Sequence, residues 1–246
     1  MLNSRTLLQT EAPPEGYYTA VLPQQPSRPI RTFLPEQYQN RYAYPLLVLF
    51  HGRGGNEEQI LRNVPLISRR NFIGMSIRGP ETIGTRGDGG AACGWGDGNP
   101  ADCADTVSDA VRLLRRQHNI HERRIYLIGV NDGAGAAYRA AFTMSEPVAG
   151  IIAINGALPR LQGKLPLFNL DEVRKQRVLI CQSTNATTAE ELDVLRDRKL
   201  FHAAGAEVAY RRFRSAAAVP PEMLREANRW IIDQIHAAPA VPAAAN

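Results

Sequence analysis

Lysine is scarce in this 246-residue chain: only three of its 29 basic residues are lysines, and the rest are arginines. The net charge of +5 comes from arginines scattered along the sequence in short clusters, without a concentrated basic stripe. Surfaces that bind nucleic acid usually gather their positive charge in such a stripe or carry a recognisable motif. We therefore expect no nucleic acid among the partners.

Long hydrophobic runs are also missing. The longest strongly apolar run is residues 46–50, whereas a membrane-spanning helix needs about 20 apolar residues. No apolar segment precedes the first acidic residue and the first prolines, so a secretory signal is not expected. The sequence predicts a globular protein that lies in the cytoplasm and does not enter a membrane.

Cysteine occurs three times, without the spacing of a metal site. Cys181 lies within an apolar, strand-like run and is expected to be a small buried residue. Cys93 and Cys103 flank a glycine-rich segment and could lie close together, but in the cytoplasm both should stay reduced. The sequence predicts no disulfide framework, no bound metal and no cofactor.

Short apolar runs alternate with amphipathic segments along most of the chain. Strands are predicted at residues 17–22, 31–34, 45–50, 72–77, 124–130, 148–154, 177–181 and 207–213. Helices are predicted at residues 57–63, 105–119 and 133–143, and from Pro220 onward. A further helix is predicted to begin with a capping box at Thr187 or Thr188, each of which precedes a glutamate by three residues, and to run to residue 204, with Gly205 ending it. This alternation predicts one α/β domain, in which helices cover both faces of a mostly parallel sheet.

Two segments interrupt this alternation. The proline-rich residues 23–29 are expected to break the first two strands, and the glycine-rich residues 78–101 are expected to form a long loop. Loops of that length in a compact domain are usually functional or disordered. Residues 1–30 are predicted to be an N-terminal extension with the first strand, residues 31–236 the main domain, and the low-complexity residues 237–246 a disordered tail.

Several segments occur in a recognisable order. They are HGRGG at residues 51–55, RRIYLIG at 123–129, NGALP at 155–159, AGAEV at 204–208 and PPE at 220–222. In order and spacing they resemble the α/β-hydrolase superfamily and, within it, the phospholipase/carboxylesterase and polyhydroxybutyrate-depolymerase-like esterases. The resemblance extends from Arg31 to the last helix. It implies the α/β-hydrolase fold, with residues 51–55 as the loop that contributes to the oxyanion hole.

The resemblance also locates the nucleophile, which these enzymes carry in a strained G-x-S-x-G turn between a strand and a helix. Here the turn reads Gly129-Val130-Asn131-Asp132-Gly133, so Asn131 stands where the serine would be. A histidine cannot convert an amide into a useful nucleophile. Asparagine nevertheless tolerates a positive φ better than most residues, so we expect the turn to keep its shape.

The other two triad positions are also replaced. The acid is expected just after the strand at residues 177–181, where the chain has Ala186 and no carboxylate before Glu190. The histidine is expected in the loop after residue 213, where Ala217 fits its position best. Beyond residue 121 the remaining histidines, His202 and His236, fall in predicted helices. The triad positions are therefore Asn131, Ala186 and Ala217, and none holds a catalytic residue.

An oxyanion hole can survive these losses because it consists of backbone. The resemblance places its N–H groups at Asp132 and Arg53, near a helix N-terminus, where they would bind a carboxylate or a carbonyl oxygen. Alternatively, the Asn131 side chain fills the pocket and caps these donors itself. The candidate ligand-binding residues are His51, Gly52, Arg53, Gly54, Gly55, Asn131 and Asp132.

Other residues offer weaker routes to catalysis. His51 is a candidate base, although the resemblance favours a structural role in holding the oxyanion loop. Asp132 lies one position beyond the nucleophile site, so its side chain is expected to turn away from the tip of the turn. The long loop offers further residues for the mouth of the pocket, or else solvated side chains: Asp88, Cys93 and Asp97. His118 and His121, at a helix-to-strand turn on the opposite edge of the sheet, are expected to be surface residues.

Three hypotheses follow. The first is a pseudo-hydrolase that binds a small acyl or carboxylate ligand, or a protein partner, without hydrolysis. The second is an active ester or thioester hydrolase with an unusual constellation around Asn131, Asp132 and His51. The third is a structural subunit that associates with an active paralogue or with itself, which predicts a large apolar surface patch.

Overall fold

The structure is a computed structural model that describes residues 15–96, 100–160, 169–184, 187–215, 217 and 219–237. Its strands are β1 (Gly16–Leu22), β2 (Gln25–Leu34), β3 (Tyr44–Phe50), β4 (Ile73–Ile77), β5 (Glu81–Thr85), β6 (Ala91–Gly94), β7 (Ile120–Val130), β8 (Val148–Ile154), β9 (Arg177–Ser183) and β10 (Glu207–Phe213). Its helices are α1 (Glu57–Leu61), α2 (Val64–Ile67), α3 (Pro100–Gln117), α4 (Asp132–Ala141), α5 (Leu170–Arg174), α6 (Thr188–Ala204) and α7 (Pro221–Ala237).

Eight strands form one sheet in the order β1-β2-β4-β3-β7-β8-β9-β10. The strands from β4 to β10 in this order pair in parallel, while β2 pairs antiparallel with both β1 and β4. The predicted mostly parallel sheet is therefore confirmed. We call the side on which the parallel strands end the carboxyl edge, and the side on which they begin the amino edge.

Apolar side chains bury both faces of the sheet. In β3, Leu46 and Val48 contribute to one core, which also includes residues of α3, α4 and α6. The alternate residues Leu47 and Leu49 contribute to a second core with α1, α2 and α7. A strand covered on both faces needs apolar residues at every position, which explains why β3 has an unbroken hydrophobic sequence.

The proline-rich segment was expected to break the strands, and this prediction is wrong. Strand β2 runs through Pro26 and Pro29, and Pro29 pairs with Val21 of β1. On its other side β2 pairs with β4 only from Ile30 onward. The strand tolerates these prolines because the part of β2 that contains them has no pairing with β4, so no N–H donor is required there.

The prediction of a long loop at residues 78–101 is also wrong. The antiparallel strands β5 and β6 form a hairpin there, and α3 already begins at Pro100. Every residue of β5 is exposed, so this strand lacks the alternation of apolar and polar residues that would identify it. Helix α5 was not predicted either.

The boundaries of α6 agree with those predicted from the sequence. Helix α6 begins with the predicted capping box, in which Thr187 and Glu190 satisfy each other's backbone N–H groups, and it ends at Gly205 with φ 84°. The proposed domain limit between residues 30 and 31 falls inside β2.

The predicted C-terminal tail, residues 237–246, lies outside the described residues except for Ala237, which ends α7. None of the described helices is long and apolar enough to span a membrane.

Candidate ligand-binding site at the β7–α4 elbow

A sharp turn at Asn131 joins β7 to α4 at the carboxyl edge. Asn131 has φ 50° and ψ −121°, outside the regions that side-chain-bearing residues normally occupy. Its N–H donates to the Ile154 carbonyl (2.9 Å), and its carbonyl accepts from the Ala134 N–H (2.9 Å). The expectation that the elbow keeps its backbone shape is confirmed. Such a conformation costs about 1–3 kcal/mol, so the surrounding contacts must enforce it.

Three glycines permit this close packing. A Cβ on Gly129 would lie 2.3 Å from the Ala134 Cα, and a Cβ on Gly133 would lie 2.3 Å from the Phe50 carbonyl oxygen. A Cβ on Gly156 would lie 2.2 Å from the Asn131 carbonyl oxygen. Real Cβ atoms do not approach backbone atoms so closely. The glycines that flank the turn, and the glycine of the NGALP segment, are therefore required by sterics.

The Asn131 side chain projects into an exposed position beside the oxyanion loop. Its Cβ and Nδ2 each lie 3.4 Å from the place that a Cβ on Gly52 would occupy. It makes no capping hydrogen bond to α4, and no other described residue hydrogen-bonds to the amide. The alternative in which this side chain caps the helix donors is therefore not what the structure shows.

The two expected oxyanion donors are both unpaired. Within the described part of the chain, no group accepts a hydrogen bond from the backbone N–H of Arg53 or from that of Asp132. The Asp132 N–H belongs to the first turn of α4, whose N–H groups have no partner within the helix. Two backbone donors are thus available on the two segments that meet at the elbow.

His51 holds the oxyanion loop from inside the protein. Its side chain is buried, its Nδ1 lies 2.8 Å from the Gly52 carbonyl oxygen, and its Nε2 accepts from the Gly79 N–H at 3.0 Å. Burial lowers the pKa of the imidazole, which favours the neutral ring. These contacts require Nδ1 to carry the proton. Both ring nitrogens are engaged, so the geometry gives His51 a positioning role.

The β5–β6 hairpin fixes the rest of this loop. The Gly54 N–H donates to the Cys93 carbonyl and the Cys93 N–H donates to the Gly55 carbonyl, both at 2.9 Å. The Arg86 guanidinium donates to the Gly54 carbonyl at 3.0 Å. From beyond the hairpin, the Trp95 indole donates to the His51 carbonyl at 2.7 Å. Sequence reasoning misses this support, because the composition of residues 78–101 predicts a loop and not a hairpin.

The hairpin contains two of the three residues that were predicted for the mouth of the pocket. Cys93 is buried in β6, and burial raises the pKa of its thiol. Asp88 lies near the hairpin turn, where it pairs with Arg86 at 3.2 Å. Asp97 lies outside the described residues.

In the oxyanion loop, the Arg53 side chain is 59% exposed, and its Nη1 lies 3.8 Å from the nearest carboxylate oxygen, on Glu81.

Of the other two predicted triad positions, only Ala217 lies within the described residues, and alanine is neither an acid nor a base. Ala217 is exposed, and its N–H donates to the Ser215 hydroxyl at 3.1 Å. Ser183, at the end of β9, donates from its hydroxyl to the Ser215 carbonyl at 2.7 Å. Its N–H donates to the Asn155 side chain at 2.6 Å. Ala186 lies outside the described residues.

All five histidines lie in the described residues, and only His51 is near the elbow. His118 and His121 flank the start of β7 at the amino edge. His202 lies in the last turn of α6, shortly before β10 begins at the same edge, and His236 lies in the last turn of α7. No second imidazole is therefore placed to act as a base at Asn131.

No group of three or more His, Cys, Asp or Glu side chains in the described part of the chain is arranged to hold a metal ion. All three cysteines have free thiols. Cys181 is buried in β9, as predicted, and burial raises the pKa of its thiol to about 12. Cys93 and Cys103 are not joined by a disulfide.

No protein-family model matches the chain, and no curated protein sequence matches it. Solved structures do match. A thermostable esterase superimposes with a TM-score of 0.64 at 16% identity, over 89% of this chain and 62% of that one. A carboxylesterase from Mesorhizobium loti gives 0.67 at 15% identity, over 87% and 98% of the two chains. A Bacillus cereus carboxylesterase gives 0.59 at 18% identity, over 80% and 92%.

These likenesses, together with the strand order and the elbow, define the class of the protein: it has the α/β-hydrolase fold. The predicted fold is confirmed. The chain spans 62% of the length of the thermostable esterase. At these levels of identity the likeness establishes the fold, and the activity has to be argued from the site.

Proposed function

We propose that this protein is a pseudo-hydrolase that binds a small acyl or carboxylate ligand at the elbow without hydrolysing it. One observation carries the proposal: the N–H groups of Arg53 and Asp132 are unpaired in the described structure, while an amide, Asn131, occupies the position expected for the nucleophile. Free thiols fit a cytoplasmic location, which we propose with it.

The donors favour a ligand that carries an oxygen with negative charge. Backbone N–H groups at a helix N-terminus bind carboxylate and polarised carbonyl oxygens, because the helix dipole adds to the hydrogen bonds. The loop that carries Arg53 is fixed by His51 and the β5–β6 hairpin, so its donor keeps its position when no ligand is bound. The amide of Asn131 supplies a further donor and acceptor to an acyl group.

The same geometry argues against hydrolysis. Acyl transfer needs a nucleophile that an adjacent base activates. Asn131 supplies no such nucleophile, and the ring nitrogens of His51 are both occupied by backbone groups. The alternative of an active ester or thioester hydrolase built on Asn131, Asp132 and His51 would require His51 to release one of these contacts.

A hydrolysis assay and a binding assay test the proposal together. Purified protein is incubated with p-nitrophenyl acetate and with an acetyl thioester, and its melting temperature is measured with increasing acetate or butyrate. We expect no hydrolysis, and a rise in melting temperature because the ligand binds only the folded state. Asn131→Ala should weaken this stabilisation. The exposed Asn71, which precedes β4 at the amino edge, provides a matched control in Asn71→Ala.

Two results would contradict the proposal. Ester or thioester hydrolysis that Asn131→Ala abolishes would make the protein an active hydrolase. A melting temperature that neither carboxylate changes, or that changes equally in the wild type and in Asn131→Ala, would exclude this ligand class at the elbow and favour a protein partner.

A further inference from the structure

A cavity of about 470 Å³ opens at the amino edge of the sheet, at the opposite end of the strands from the elbow. It lies where α3 turns into β7 and where β8 is about to begin. Its lining residues are Arg115, His118, Asn119, Ile120, Glu122, Arg123 and Pro147. Neither the hydrolase-like elbow nor the oxyanion loop contributes to it.

Two arginines without ion-pair partners line this cavity, and each has a second unpaired arginine beside it in the sequence. Arg115 and Arg123 line it, and Arg116 and Arg124 are their neighbours in sequence. None of these four arginines forms an ion pair with any carboxylate in the described residues. Arg112, one turn earlier on α3, pairs with both Asp109 and Glu146. The positive charge at the cavity is thus left without the neutralisation found elsewhere on this helix.

Two of the lining residues each have a buried side-chain nitrogen with no hydrogen-bond partner in the described part of the structure: Arg115 Nε and His118 Nδ1. Arg115 uses its Nη2 to donate to the Glu122 carbonyl at 3.0 Å. Buried polar atoms in native proteins nearly always have a partner, which is frequently a ligand or a water where no protein group serves.

The position of the arginines at the end of α3 explains only part of the positive charge at the cavity. Arg115 and Arg116 lie in its last turn, where cations interact favourably with the free carbonyl groups of the helix. Arg123 belongs to β7 and is not part of this helix. The Glu122 carboxylate opposes an anion, but the two guanidinium groups of the lining outnumber it.

We propose that this cavity binds the phosphate group of a small anionic molecule between the guanidinium groups of Arg115 and Arg123, with His118 and Asn119 completing its hydrogen bonds. Planar guanidinium groups each present paired donors that match phosphate oxygens. Two arginines balance the charge of a phosphate monoester, which carries about −1.5 to −2 at neutral pH. This site is separate from the elbow and does not depend on the function proposed there.

Titration calorimetry on the full chain, first with inorganic phosphate and then with glycerol 3-phosphate, tests this site. Arg115→Gln and Arg123→Gln should each raise the dissociation constant about tenfold, because each removes a charged hydrogen bond. Glu122→Gln should lower the dissociation constant, since it removes the opposing charge while leaving the arginines in place. Arg225→Gln on α7, an exposed arginine paired with Glu222, is the matched control and should bind as the wild type does.

Several outcomes would overturn the proposal. These are no phosphate binding by the wild type, equal binding by the arginine variants and the wild type, or unchanged binding by Glu122→Gln. Loss of phosphate binding in Asn131→Ala would place the anion at the elbow instead. A short single-stranded oligonucleotide and vesicles with anionic lipid are tested in parallel. Tighter, arginine-dependent binding of either one would replace the small molecule by a nucleic acid or a membrane surface.

Discussion

At the scale of single residues, Asn131 combines a strained backbone with a side chain that no described residue holds. Only glycine adopts φ 50° and ψ −121° without steric cost. A strained residue that does not stabilise the fold is more simply explained by what its side chain binds. The elbow therefore carries a cost to stability that the Asn131 side chain does not offset through any hydrogen bond with a described residue.

Replacing Asn131 tests this interpretation. Asn131→Gly should raise the free energy of unfolding by about 1 kcal/mol, since relief of roughly 1–3 kcal/mol of strain exceeds the entropic cost of glycine. Asn131→Ala keeps a Cβ and should be less stable than Asn131→Gly. Urea denaturation measures both variants. If Asn131→Gly were the less stable of the two, the side chain would have to contribute to folding.

Two glycines of α4 differ sharply in the space around them. Gly133→Ala should destabilise the protein by several kcal/mol or prevent folding, because its Cβ would meet the Phe50 carbonyl oxygen at 2.3 Å. Gly135→Ala should be neutral or should stabilise by up to about 1 kcal/mol, since the nearest atom lies 3.5 Å away, on Pro159, and alanine favours helix. Thermal melting compares the two. Equal effects would show that the elbow is looser than its packing indicates.

At the scale of elements, a buried ion pair links the start of α1 to the end of β4. Arg78 donates two hydrogen bonds to the fully buried Glu57 carboxylate, at 2.9 and 2.6 Å, and this paired donation raises the pKa of the guanidinium. The Arg78 carbonyl also accepts from Arg28, and Gly79, the next residue, holds His51. The pair thus anchors the segment on which the oxyanion loop rests.

Breaking this pair should be costly. Arg78→Met should lower the free energy of unfolding by about 3 kcal/mol, because it leaves a carboxylate buried without its partner. Adding Glu57→Leu should restore much of that loss. As a control, Glu222→Gln breaks an exposed pair of similar length and should change stability by less than about 1 kcal/mol. A double variant no more stable than Arg78→Met would mean that the pair is needed for its geometry.

At the scale of the whole molecule, stability should fall in mild acid. The pKa of His51 is lowered below its ordinary 6.5 by burial, so the unfolded chain binds more protons than the folded protein as pH falls below that value. Burial also lowers the pKa of His118 and of His121, so protonation of these histidines adds to the loss of stability in acid. The stability that depends on a neutral His51 is complete above pH 6.5 and is lost progressively below it.

Urea denaturation at pH 7 and pH 5.5 measures this effect. The wild type should lose more stability between the two values than His51→Asn does, because the variant has no imidazole to protonate. The exposed His202 provides the control, and His202→Gln should lose as much stability as the wild type. Equal losses in the wild type and in His51→Asn would show that the acid sensitivity arises elsewhere.

Much of the architecture could be predicted from local sequence. The unbroken apolar sequence of β3 and the capping box at Thr187 act through nearest neighbours and burial, so both are visible in the chain itself. The order of the motifs predicted the fold, and the GVNDG sequence predicted the positive φ at Asn131. The presence of asparagine rather than serine at the centre of this turn is likewise visible in the sequence.

Tertiary structure alone decided the rest. The wholly exposed β5 has no sequence pattern of its own, and its hairpin forms through pairing with β6 and through contacts with residues 54 and 55. The engagement of both His51 nitrogens depends on Gly79, which is 28 residues away in the chain. The cavity at the amino edge requires the end of α3 and the starts of β7 and β8 to meet. Contacts between distant segments leave no periodic signal in a sequence, so these features become visible only when the chain is folded.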